Sequence, residues 1–422
     1  KSYCREVSYG RLTIQSSHFP VCGLNTNLSY EDTQVRNYYR PYNATTNPLG
    51  YQDDAERTVR EHTLLERAIQ FIAGQVPAGL EIDGDGDGRV DNVCFVVRGN
   101  SDGWNSLLWA HRWALYTRTV SIGGKRVWDY TFQPENQNSV RTLNHEMFHA
   151  LGAPDLYHYN NQSDTPAGPW DIMHSGGGHM GAWMKYRYAN HAWIETIPEI
   201  TSNGSYTICS LEQSGTNCYR IPSPHSTSEF FVVELRRRTG TFETYLPGTG
   251  LLVTRINSAY QGNANGNDEI YIYRPGGTPS SWGDIYGAHY HQDAGRTAIS
   301  DTTSPSSFLT AGGPGGLNIH DIVISADGSS ATFVVGEAPA ETIEVLAPNG
   351  GESWRRGENR VITWSASGIS GNVTIELLQG ETVHVVADSV PATDGSYTWT
   401  VGRLANGTWV TGSNTRIRIR KL

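Results

Sequence analysis

The stretch NHEMFHALGAPDLY, Asn144 to Tyr157, constrains this chain more than any other. A helix is predicted from about Ser139 to Leu151, closed by Gly152, and it puts residues four apart on one face. His145 and His149 then project one turn apart, and Glu146 lies beside the first, offset around the axis. Gly152 permits a left-handed exit, so the chain can turn back sharply. Pro154 stiffens that turn, and Asp155 arrives ten residues after His145.

These polar groups either satisfy one another beside a core helix or hold a metal. Two neutral imidazoles so placed can reach one zinc ion at about 2.0–2.1 Å. Glu146 is offset enough to face a metal-bound water, where a general base belongs. Asp155 can supply the third ligand, which leaves the fourth position open, the mark of a catalytic site and not a structural one. Another zinc arrangement takes a glutamate from a second helix some distance downstream. No glutamate occurs between Glu146 and Glu195, so Asp155 leads and His158 is the runner-up. His174, Tyr157 and Tyr159 are candidates to assist an oxyanion, and each also fits a plain packing role.

A second motif, DGDGDGRVD, places acidic side chains at loop positions 1, 3, 5 and 9 (Asp83, Asp85, Asp87 and Asp91) with Gly88 at position 6. That order wraps oxygens around calcium, with the backbone carbonyl of Arg89 at position 7. Position 12 is Cys94 instead of a bidentate glutamate, so a further ligand must come from elsewhere or from water. The alternative is a flexible acidic turn.

With 422 residues, two to four domains are expected. The net charge of −10 argues against a nucleic-acid partner. No apolar run reaches the roughly 18 residues of a membrane span. The start at Lys1 without a leader reads as a mature or trimmed fragment. Cys209 and Cys218 flank a short polar loop that suits a disulfide, Cys4 with Cys22 is a second candidate, and Cys94 reads as a buried free thiol.

The opening SYGRLTIQ reads as a turn and a strand, and Asp54 to Val76 as a helix with Val59, Leu65, Ile69, Ile72 and Val76 on one face. VDNVCFVVRG reads as a buried strand. Beyond about Thr201, runs such as EFFVVELRRR, GLLVTRIN and EIYIYRPGG indicate a β-sandwich. GEAPAET, residues 336–342, is a linker, after which NRVITWSAS, NVTIELL and RIRIRKL describe a smaller sandwich ending in an edge strand.

HEMFHALGAPDLY followed by WDIMHSGG resembles the immune inhibitor A family of secreted bacterial metallopeptidases, relatives of the metzincins. The resemblance implies that His145, His149 and Asp155 bind zinc, that Glu146 is the catalytic base and that Met173 forms a structural methionine turn beneath the metal. REVSYGRLTI looks like the family's opening strand, and the likeness runs to about residue 336. The family often has histidine where this chain reads LLVTRIN. PNGGESW and VITWS resemble immunoglobulin-like modules appended to secreted enzymes. The expected architecture is an α+β metzincin-like zinc protease domain over 1–200, a β-sandwich over 201–337 and an immunoglobulin-like sandwich over 338–422. The expected function is that of a secreted zinc metalloendopeptidase, with catalytic zinc and structural calcium, acting on extracellular proteins or peptides. A competing reading is a surface adhesin on a protease scaffold, with Trp282, Trp354 and Trp364 as a platform for glycan or cell-surface contact.

Overall fold

A computed structural model of the chain describes all residues except 22–28, 105, 190, 337–340, 368 and 370. It divides into two compact units, Lys1–Gly336 and Glu337–Leu422. Cys22 and most of the expected linker lie outside the described residues. Helices are few and strands are many.

The chain opens with a short helix, α1 (Ser2–Val7). Tyr3, Cys4 and Val7 recur at helical spacing and are buried. The expected turn follows, with Tyr9 and Gly10 at φ 56° and 82°. The expected strand does not form: residues 11–18 find no neighbouring strand among the described residues, although Leu12 and Ile14 pack against the core.

The long helix α2 (Asp54–Ala73) is capped by Asp53, whose side chain accepts from the Glu56 amide, and ends at Ala73, three residues before the sequence-predicted end, with Gly74 as its C-cap. Leu65 and Ile69 are buried, whereas Val59 faces solvent. The helix packs on a three-stranded sheet of β1 (Val93–Val97), β2 (His111–Ala114) and β5 (Asp129–Pro134), ordered β1-β5-β2. A two-residue ribbon, β3 (Ser121–Ile122) with β4 (Lys125–Arg126), adjoins them. β1 runs parallel to β5, and β2 runs antiparallel to it as an edge. β1 is not fully buried: Cys94 and Val96 alternate outward, so the Cys94 thiol is exposed. A sheet covered on one face alternates in this way.

The helix α3 (Val140–Ala150), which carries the HEMFH motif, and a short α4 (Ala182–Arg187) complete the helical part. Then come two four-stranded sheets. One is ordered β10-β9-β8-β7, from β7 (Cys218–Pro222), β8 (Glu229–Arg236), β9 (Gly250–Asn257) and β10 (Ile270–Ile272). The other is ordered β11-β12-β13-β6, from β6 (Gly204–Cys209), β11 (Ile299–Ser300), β12 (Asn318–Ile324) and β13 (Ser330–Val335). Phe231, Val233, Leu251 and Val253 meet Ile208, Ile319 and Phe333 in one core between them. The opposite face of the first sheet supplies Phe230, Val232, Leu252 and Ile256 to the core that also holds Tyr3, Phe148, Trp170 and Met173. Residues on both sides of position 200 therefore share one core.

Cys209 and Cys218 carry free thiols, so the expected disulfide is not present. The two cysteines do not face each other as partners on neighbouring strands. Cys209 pairs with Ser330 at the end of β6, and Cys218 pairs with Glu234 in the other sheet. The loop between them is closed instead by the Cys209 amide, which donates to the Thr216 carbonyl at 2.9 Å. Cys4 is also free, and its thiol donates to Asn144 Oδ1 at 2.9 Å.

The second unit contains β14 (Thr342–Ala347), β15 (Asn359–Ser367), β16 (Asn372–Gln379), β17 (Thr382–Pro391), β18 (Ser396–Thr400) and β19 (Thr415–Lys421). They form two sheets, β14-β15-β18 and β17-β16-β19. β19 is an edge strand, with Arg418 and Arg420 both paired to Glu376. Trp364 is 3% exposed inside this unit's core, and Trp354 packs against it, so neither stands out as a surface platform.

A buried ion cluster ties the segment 168–182 to β8. Arg236 is 1% exposed, and its guanidinium contacts Glu243 Oε1 at 2.8 Å, Glu234 Oε1 at 3.3 Å and the Trp170 carbonyl at 2.7 Å. Glu243 Oε1 accepts the His179 amide at 2.6 Å, and Glu234 Oε2 accepts the Ala182 amide at 2.6 Å. Burial alone would raise the Glu243 carboxyl, but Arg236 and His179 outweigh it and hold it at about 2. A carboxyl depressed in the folded state stabilises fully above its unfolded value of about 4.3, and this contribution is lost as pH falls through the folded one. Arg236→Met leaves two carboxylates buried without their cation and should cost about 3–5 kcal/mol in urea unfolding at neutral pH. The acid dependence of stability between about pH 4.5 and 2 should flatten in the variant. A variant as stable as the parent would show that the cluster does not anchor the segment.

Candidate metal centre

Ser139 caps α3 by accepting the Thr142 amide at 3.0 Å, and the helix ends at Leu151 with Gly152 at φ 92°. The Ala153 amide returns to the Phe148 carbonyl at 3.1 Å, which turns the chain back as the glycine suggested. His145 and His149 share one side of the helix, with ring centroids 4.9 Å apart.

Each imidazole is oriented by a backbone carbonyl. His145 Nδ1 donates to Ile172 O at 2.8 Å and His149 Nδ1 to Ala153 O at 2.6 Å. With Nδ1 carrying the proton, Nε2 is free to present a lone pair, the usual arrangement behind a metal-binding histidine. Both Nε2 atoms face Asp155 Oδ1, at 3.1 Å and 3.4 Å. Asp155 is 6% exposed, and Oδ1 has no hydrogen-bond partner among the described residues. Its other oxygen accepts from the Tyr159 hydroxyl at 2.5 Å.

This donor set fits zinc. Neighbouring ligands of a tetrahedral zinc with bonds of 2.0–2.1 Å stand about 3.3 Å apart, close to the separations between the carboxylate and the two rings. A carboxylate oxygen that is buried, unpartnered and beside two imidazoles matches the same chemistry. The electrostatics agree in sign. Burial acts to lower the His145 pKa, but Asp155 and Glu146 outweigh it and raise it to about 9. The Asp155 carboxyl is held far below the ordinary range by the two histidines, against its own burial. The pocket thus favours positive charge.

Glu146 is buried, and one of its carboxylate oxygens lies within 4.8 Å of a ring nitrogen of each histidine, a group that does not include Asp155. Met173 is fully buried in the turn from Asp171 to Gly176, whose closing bond is Gly176 N to Asp171 O at 2.9 Å. The turn serves the site through its backbone, since the Ile172 carbonyl orients His145 and the Met173 carbonyl accepts the Leu156 amide at 2.9 Å. The Asp171 carboxyl, pushed up to about 6 by burial, bonds the Met173 and Gly181 amides at 2.8 Å and 2.7 Å.

Of the other residues singled out in the sequence, His158 is held elsewhere. It is clamped between Asp164 Oδ2 at 2.7 Å and Asp268 Oδ1 at 2.8 Å, and so stands outside the donor cluster. Tyr157 stacks between His145 and His174, at 6.3 Å and 6.0 Å. Both His174 ring nitrogens are buried without a hydrogen-bond partner among the described residues, and burial first, then His145, lowers its pKa to about 3.

One neighbour had no signal in the sequence. His111 on β2 bonds Glu61 Oε1 at 2.8 Å through Nε2 and Trp109 O at 2.6 Å through Nδ1. Burial would lower its pKa, but Glu61 leads the effects that raise it, with Glu146 contributing. Glu61 and His111 are 50 residues apart, on a helix and a strand, so no local spacing joins them.

The acidic loop is only partly assembled as expected. Carboxylate oxygens of Asp83, Asp85 and Asp91 lie within 4.8 Å of one another. Asp87 is outside that group and accepts the Arg89 amide at 2.8 Å. Lys125 reaches Asp83 Oδ2 at 2.6 Å, while Asp83 Oδ1 is buried with no partner among the described residues.

Residues 97–188 match the immune inhibitor A peptidase M6 catalytic domain, and residues 347–409 match the Kre9/KNH-like N-terminal Ig-like domain. The resemblance read from the sequence is shown in both segments. No curated protein and no solved structure matches the chain.

Proposed function

We propose that this chain is a zinc-dependent endopeptidase in which His145, His149 and Asp155 hold the metal and Glu146 is the general base. The convergence of His145 Nε2, His149 Nε2 and the unpartnered Asp155 Oδ1 carries the reading, and the peptidase-domain match supports it. Zinc bound there supplies a Lewis acid that polarises the scissile carbonyl and acidifies water. Glu146 takes the proton as the water oxygen bonds to the carbonyl carbon. It then hands that proton to the amide nitrogen as the C–N bond breaks, leaving a carboxylic acid and an amine. The Ile172 and Ala153 carbonyls keep the two imidazoles in the tautomer that leaves Nε2 unprotonated. Tyr159 steadies Asp155 from the far side. The proposal extends to secretion and extracellular protein substrates, in keeping with the family resemblance; among the described residues no helix is long and apolar enough to cross a membrane.

The acidic loop is proposed to take a calcium ion through Asp83, Asp85 and Asp91. The support is the buried, unpartnered Asp83 Oδ1 beside two further carboxylates, with Lys125 as a competing cation.

Casein hydrolysis that stops with a chelator and returns with zinc is the expected behaviour. Glu146→Gln should keep its zinc and lose about a hundredfold or more in turnover. Near-parental turnover would refute the base assignment.

Asp155→Ala, with only two strong ligands left, should lose zinc on dialysis against a weak chelator. His158→Ala should lose stability, because Asp164 and Asp268 lose their shared partner, but keep its zinc. The reverse pattern of zinc contents would make His158 the ligand.

At fixed zinc, calcium depletion should lower Tm, and the shift should grow with the logarithm of added calcium. A Tm indifferent to calcium would leave the loop's carboxylates to Lys125 and Arg89 as counter-charges.

A further inference from the structure

We infer that the β9–β10 loop, residues 258–269, is a positioning element of the metal centre that sets where Asp155 stands. The inference rests on the proposed role of Asp155 as a ligand. It adds a determinant of metal affinity that lies outside the matched peptidase segment.

The loop meets the Asp155 segment main chain to main chain. The Asn263 amide donates to the Asp155 carbonyl at 2.9 Å, and the Tyr159 amide donates to the Ala264 carbonyl at 3.1 Å. Gly262, at φ 69°, packs so closely that a Cβ there would lie 2.5 Å from Pro154 Cβ and 2.8 Å from the Asp155 carbonyl oxygen. Such a contact cannot exist without displacing Pro154, Asp155 or the loop. Behind this contact the loop is rigidly held. Asn263 is fully buried, and its side chain bonds both the carbonyl and the amide of Ile270, at 2.8 Å and 3.2 Å. Glu269, also fully buried, gathers Gly262 N, Trp183 Nε1, Arg187 Nη1 and Tyr188 Oη within 2.5 Å to 2.7 Å. Asp268 takes one side of His158. A buried carboxylate with this many donors fixes backbone more firmly than loops usually are.

The Asp155 side chain reaches the two imidazoles from a short irregular stretch whose backbone is held on one side by the Met173 carbonyl, through Leu156, and on the other by this loop. Moving that stretch by a fraction of an ångström moves Oδ1 relative to both Nε2 atoms. Partners one layer behind a metal ligand commonly govern affinity by about 10–100-fold.

The test compares zinc affinity, read by competition with a chromogenic chelator, with thermal stability. Gly262→Ala should weaken zinc binding by at least about tenfold. Gly266→Ala is the control. It lies in the same loop at φ 83°, but its Cβ would meet nothing closer than Asn160 Nδ2 at 3.5 Å. It should lower Tm through backbone strain and leave zinc affinity at the parental value. Asp155→Ala separates the two readings. If it keeps zinc, the ligand assignment fails. If it loses zinc while Gly262→Ala binds at parental strength, the ligand assignment stands and the inference about the loop is overturned. Should Gly262→Ala not fold, the parent protein decides. Coupling between two sites is reciprocal, so removing zinc should speed hydrogen exchange at the Asn263 amide. Unchanged exchange there would overturn the inference.

Discussion

The Arg236 guanidinium is the contact on which the arrangement around the candidate centre depends. It lies in a core strand, wholly removed from water, and it compensates two carboxylates that in turn bond the backbone of the segment bearing Met173. Charges are withdrawn from water at this expense only where geometry and hydrogen bonding are complete. Here each partner has a backbone group to hold as well as a countercharge. The result is a turn whose Ile172 carbonyl stands at a fixed distance from the His145 ring.

Polar groups are arranged differently at the turn and at the donor cluster. Around the Arg236 guanidinium, donors and acceptors are matched. Beside α3, two ring nitrogens crowd one carboxylate oxygen that has no well-aligned hydrogen bond among the described residues, and only the charge of the imidazoles offsets it. An unpaired buried acceptor is costly, and a cation is what removes that cost. The same asymmetry, on a smaller scale, marks Asp83 in the acidic loop.

The parts legible in the sequence were those governed by local periodicity and by residues with a special conformational role. The α3 boundaries, the Gly152 exit and the approach of Asp155 follow from a capping serine, an i,i+4 pair and one left-handed glycine. The β-rich character beyond position 200 follows from alternation. What failed was decided by partners distant in sequence. Leu12 and Ile14 alternate like a strand but have no strand to pair with among the described residues. Cys209 and Cys218 flank a hairpin-like loop, yet their strands go to separate sheets. Cys94 sits in an apolar run on the open face of its sheet. Glu61 with His111 is a pair 50 residues apart that no spacing rule announces. Glu234 and Arg236 share one face of β8, and what the sequence could not show is that this face is buried and that Glu243 and the 168–182 segment close over it.

Because Arg236 lies some ninety residues after His145, the order of synthesis acquires meaning. A ribosome delivers the two histidines and the aspartate well before the strand that anchors their supporting turn. A half-made chain therefore carries all three donor side chains without the scaffold that aims them.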